Sequence, residues 1–142
     1  MSIVRAIENA FKTKTDRGWD RIYVAVDLHG TVLEPDYNSD GIPTKLYPYA
    51  AETLLEFSKR NDVRLIMYTC SYPEEIAEYL AFFRSYGINF DYVNKNPEVK
   101  TGTSKHGYYE EKFYYNVLFE DKCGFSGDTD WFEVLETIKK QK

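Results

Sequence analysis

The stretch "RIYVAVDLHGTV", residues 21–32, decides how the rest of the chain is read. Its first seven residues are rich in Val, Ile and Tyr, the composition of a buried strand. The run then stops on an aspartate. A carboxylate placed directly after an apolar strand is costly to bury, so it marks the strand's open end. Gly30 and Thr31 follow, and they fit a tight turn. His29 stands between them and Leu28.

Outward from this stretch the pattern alternates. Residues 2–14 read as a leading amphipathic helix, with Ile3, Ile7 and Phe11 four apart. Residues 32–45 hold two prolines and several turn formers, and they read as a loop or small hairpin flap. A helix is expected over 47–60, with Ala50, Leu54 and Phe57 on one face, then a strand over 63–69. Ser71 and Glu74 have capping-box spacing and open a further helix. That helix turns Ile76, Leu80 and Phe83 inward and stops near Gly87. Strands are expected at 88–93 and 114–119. A closing helix over 129–140 has Phe132, Leu135 and Ile138 on one side. Strands alternating with helices imply parallel pairing. The expected fold is therefore a three-layer α/β/α sandwich with a mainly parallel, Rossmann-like sheet.

The chain has 142 residues, the size of one domain. The net charge of −5 argues against a general nucleic-acid binder. Thirteen Tyr and nine Phe read chiefly as fillers of half-buried positions, with an aromatic substrate platform as the lesser reading. Cys70 and Cys123 form no CxxC pattern and read as reduced thiols of a cytoplasmic protein. There is no apolar run of membrane-spanning length and no signal-peptide core.

Ligands of such sheets sit at the carboxyl ends of the strands. Those ends carry Asp27, Thr69, Glu120 and Asp121, with Lys112 just before the last strand. Carboxylates, a hydroxyl and an ammonium on one rim suit magnesium-assisted phosphoryl chemistry. Asp27 and Asp121 can supply carboxylate oxygens to Mg²⁺, and the His29 main-chain carbonyl can supply a third oxygen. Thr69, Lys112 and the N–H groups around Gly30 and Thr31 can hold phosphate oxygens.

Taken together, these pieces resemble the haloacid dehalogenase superfamily, most of whose members are phosphohydrolases. "YVAVDLHGTV" is similar to its first motif, an apolar strand followed by DxDGT. "RLIMYT" resembles the second motif. Lys112 matches the third-motif lysine, with Lys95 and Lys122 as competitors. "VLFED" resembles the fourth motif, in preference to "GDTDWFE" at 127–133, where Asp128 reads as the start of the last helix. The resemblance spans residues 21–131. It implies Asp27 as a nucleophile that forms an aspartyl-phosphate, and Asp121 as a direct Mg²⁺ ligand with Glu120 in support. His29 stands where the family has its acid/base aspartate. Three readings stay open: His29 transfers the proton, His29 contacts substrate in a slow enzyme, or the domain only binds metal or phosphate. Residues 32–45 and 94–110 are too short for a folded cap. The resemblance therefore implies an open site, shielded in a homo-oligomer or taking a bulky phosphorylated substrate such as a nucleotide or polynucleotide end. Two readings fit the Lys95, Lys100, Lys105 and His106 loop equally: it reaches such a substrate, or it is a solvated surface loop.

Overall fold

The computed structural model describes residues 2–36, 41–100, 107–109 and 111–142. Helix α1 spans Ser2–Arg17 and leads into strand β1, Ile22–Asp27. Helix α2 (Ala50–Lys59), strand β2 (Val63–Tyr68) and helix α3 (Pro73–Arg84) follow. Strands β3 (Tyr92–Val93) and β4 (Val117–Phe119) are short, and helix α4 (Trp131–Lys139) closes the chain. The sheet is four-stranded and all parallel, in the order β3-β2-β1-β4. The expected α/β class is what forms, and it is compatible with a Rossmann-like three-layer sandwich. Among the described residues, no helix is long and apolar enough to cross a membrane.

Alternation along the strands separates two faces. Ile22, Val24, Val26, Leu65, Met67 and Phe119 join residues from all four helices in one apolar cluster. Tyr23, Ala25 and Asp27 point the other way, beside Arg64, Ile66 and Tyr68 of β2. Their cover is irregular: the described part of the connection from β3 to β4. Glu98 ties that connection down. Its carboxylate accepts from Arg21 (2.7 Å), Arg64 (2.8 Å), Tyr23 (3.2 Å) and Tyr92. Burial pushes the Glu98 carboxyl up, but the bonds from Tyr92, Arg64 and Arg21 outweigh it and hold the group at about 2.

Several local expectations need correcting. The third strand covers only 92–93, because the Asp91 carboxylate takes the Leu65 N–H at 2.7 Å and replaces a main-chain rung. The fourth starts at Val117, because the Asn116 side chain takes the Tyr23 N–H at 2.8 Å. The cap of α3 lies one residue later than the Ser71–Glu74 spacing suggests: the Tyr72 N–H donates to Glu75 Oε1 at 2.9 Å, and Pro73 fixes the first turn. Tyr79 and Phe83 are the fully buried residues of α3, with Ile76 and Leu80 only half-buried. On α4 the inward face is Trp131, Val134, Leu135 and Ile138. Phe132 lies 45% exposed against Tyr49, ring centroids 4.9 Å apart. Asp130, not Asp128, precedes that helix. The flap at 32–45 has a hairpin base, with Glu34 N–H bonded to the Lys45 oxygen and Tyr47 N–H to the Val32 oxygen. Its tip, 37–40, lies outside the described residues, as do Lys105 and His106.

Candidate active site

The register brings the acidic strand ends together. Asp27 pairs with Tyr68, so Thr69 is the next residue on that side. Val26 pairs with Phe119, so Glu120 and Asp121 follow on the other. One carboxylate oxygen from each of Asp27, Glu120 and Asp121 lies within 4.8 Å of the other two. Thr31 sits among them. Its hydroxyl is 3.2 Å from Asp27 Oδ2 and 3.2 Å from Asp121 Oδ1, and it accepts the Asp121 N–H at 3.0 Å. Thr31 is fully buried, and its carbonyl accepts from the Trp131 indole at 2.8 Å. The core thus fixes the residue that spaces the carboxylates.

Gly30 makes the approach possible. Its φ is +81°, and a Cβ there would stand 2.8 Å from Asp121 Oδ2. The N–H groups of this turn are largely spent on the turn itself. Gly30 donates to the Leu33 oxygen at 2.8 Å and Thr31 to the Leu28 oxygen at 3.2 Å. These two N–H groups are therefore not free to hold a phosphate as the sequence suggested. The His29 main-chain oxygen enters no hydrogen bond among the described residues.

Three carboxylates this close cannot all ionise at ordinary cost. Burial, followed by the Glu120 charge, raises the Asp27 carboxyl to about 6. Burial pushes Asp121 up as well, but hydrogen bonds from Glu120, Thr31, the main chain and Asp27 outweigh it and hold Asp121 below its usual range. The leading causes of both shifts are burial, neighbouring acids and hydrogen bonds rather than a basic side chain. The sign of the stability linkage follows. Asp27 binds its proton more tightly folded than unfolded, so its contribution is complete below about pH 4. It is lost as pH rises through about 6. In chelator, the melting temperature of wild type minus that of Asp27→Asn is expected to fall across this window. A constant difference from acid to neutral pH would refute the shift.

His29 faces away from the obvious task. Its Nε2 lies 2.5 Å from the Tyr79 hydroxyl, with ring centroids 5.5 Å apart. Tyr79 is fully buried, and burial raises its phenol to about 12, so the proton stays on. This contact engages Nε2, and the tautomer of the ring decides which of the two groups donates. Thr69 is buried at the end of β2. Its hydroxyl is 2.8 Å from the Ser71 hydroxyl, and the Asn94 amide clamps both its N–H and its C=O, at 2.9 and 2.7 Å. Lys112 is exposed. Phe113, next to it, packs 6.0 Å from the ring of Tyr68, which sets Lys112 at the same end of the sheet. No hydrogen bond or ion pair joins Lys112 to the carboxylates among the described residues. Lys95 and Lys122 are exposed and likewise unbonded to them.

Sequence reasoning missed Tyr79, Ser71 and Asn94. The i, i+4 spacing of Tyr79 and Phe83 was a usable signal for Tyr79. The role of Asn94 rests on a left-handed residue (φ 53°) after β3, which asparagine tolerates better than most.

No protein-family model matches the chain, and no curated protein does. Among solved structures, it is similar to a conserved protein from Bacteroides thetaiotaomicron, with a TM-score of 0.62 and 28% sequence identity. The match covers 86% of this chain and 93% of that one.

Proposed function

We propose that the chain is a Mg²⁺-dependent phosphohydrolase of the haloacid dehalogenase type, acting through an aspartyl-phosphate on Asp27. The observation that carries this reading is the convergence of Asp27, Glu120 and Asp121 around the Thr31 hydroxyl at the carboxyl edge of a parallel sheet. An all-oxygen donor set suits a hard divalent cation, and the His29 main-chain oxygen adds a neutral donor. Asp27, Asp121 and that carbonyl would hold the ion, with Glu120 beside them. Bound there, Mg²⁺ would offset the repulsion between the carboxylates and an incoming phosphate. Asp27 Oδ attacks phosphorus, and the P–O bond to the leaving group breaks with its electron pair on the leaving oxygen, which takes its proton from solvent. Water then attacks the aspartyl-phosphate, releasing phosphate and restoring the carboxylate. Thr69 and Lys112 stand at the rim where phosphate oxygens arrive.

The test is steady-state turnover of an activated aryl phosphate with and without Mg²⁺. Turnover that requires the ion supports the reading. Absence of turnover with any divalent metal supports the second reading, a non-catalytic module that binds metal or phosphate. One observation favours that alternative: the buried Tyr79 hydroxyl engages Nε2 of His29 at 2.5 Å and draws that ring nitrogen into a packing contact. His29→Asp separates the cases. Restoring a carboxylate is expected to raise the rate on poor leaving groups by about 10²-fold or more. Equal effects on good and poor leaving groups would exclude a proton-transfer defect.

Gly30→Ala tests the metal site without turnover. The added methyl meets Asp121 Oδ2 and the backbone resists it. Titration calorimetry is expected to show Mg²⁺ binding weakened by about 10–100-fold. Unchanged affinity would remove Asp121 from the ligand set.

A further inference from the structure

The rim beside the carboxylates carries aromatic surface that the core does not use. Tyr68 pairs with Asp27 in register and projects from the same face of the sheet. Two residues earlier on that face, Ile66 is fully buried, whereas Tyr68 is 39% exposed. Adjacent strands lie about 4.8 Å apart, so Tyr68 and Asp27 leave the sheet as neighbours on one face. Phe113 supports it at a centroid distance of 6.0 Å, and Tyr115 supports Phe113 at 5.9 Å. Tyr72, 73% exposed, lies at the same end of the sheet, three residues beyond Thr69. A ring packed against one neighbour and 39% exposed leaves aromatic surface open at the rim of the site.

We infer that Tyr68, backed by Phe113, is a stacking platform for a flat aromatic group on the substrate whose phosphate lies at Asp27. This rests on the phosphohydrolase reading and names its substrate class: a small phosphate ester bearing a nucleobase or aryl ring. The net charge of −5 sets the size. A polynucleotide would need a basic track for its other phosphates, whereas one ring and one phosphate need only the platform and the metal site.

The experiment is titration calorimetry on Asp27→Asn with and without Mg²⁺, using adenosine 5′-monophosphate, phenyl phosphate and ribose 5-phosphate. The two ring-bearing esters are expected to bind about tenfold more tightly than ribose 5-phosphate, the scale of one ring stack. Tyr68→Leu, made in the same background, should abolish that preference and Tyr68→Phe should keep it. Stronger binding of the nucleotide than of phenyl phosphate assigns a nucleobase, and the reverse assigns an aryl group. Equal binding of all three overturns the platform and leaves the phosphohydrolase reading standing. A preference that survives Tyr68→Leu overturns the assignment to Tyr68. Ring-dependent binding that ignores Mg²⁺ upholds the platform and overturns the metal-assisted reading. Failure of every phosphate to bind overturns both.

Discussion

Asp27→Asn is expected to lower Mg²⁺-dependent phosphatase turnover by about 10⁴-fold or more, the scale on which loss of a covalent nucleophile is felt. The amide keeps the shape of the side chain and one coordinating oxygen, but it cannot form an acyl phosphate and regenerate. The same substitution should raise the melting temperature near neutral pH. There wild type must ionise a carboxyl that burial and the Glu120 charge hold at about 6. A neutral side chain avoids that cost. Opposite movements of activity and stability identify a residue kept for chemistry rather than for packing. Enzyme assays and thermal melts on one preparation check both. Retention of more than about a tenth of the activity would exclude the aspartyl-phosphate route.

Trp131→Ala is expected to destabilise the fold by about 3–5 kcal/mol, measured by denaturant unfolding. Trp131 is fully buried and packs against Phe119 and Phe125 at centroid distances of 5.0 and 4.7 Å. Its indole also supplies the bond to the Thr31 carbonyl. Trp131→Phe separates the two contributions. It keeps much of the volume and leaves a buried carbonyl without its donor, at a cost of about 1–3 kcal/mol. Because Thr31 bridges Asp27 and Asp121, this milder variant should also weaken divalent-cation binding while remaining folded. Stability of the alanine variant within about 1 kcal/mol of wild type would contradict the packing described.

Much of this arrangement could be read from the residues alone, and the reasons are physical. The apolar runs at 21–27 and 63–69 are long enough to be buried on both faces, and turn formers bound them. Asp27, Thr69, Glu120 and Asp121 were therefore fixed at strand ends. The shorter strands misled because Asp91 and Asn116 substitute side-chain bonds for backbone rungs, and composition does not reveal that. Phe132 misled because an i, i+3, i+6 pattern drifts off the helix face that i, i+3, i+4, i+7 keeps. Within the site, the acids followed from strand position. The partners of His29 and Thr69 did not, because they come from α3 and from the turn after β3, which no local pattern links to β1.

The brevity of β3 and β4 has a consequence for how copies of this chain could meet. The sheet's outer strands offer two and three residues respectively. So few exposed backbone donors and acceptors make a poor template for adding a strand from another molecule. These two described edges are thereby guarded against fibre-like growth by strand addition.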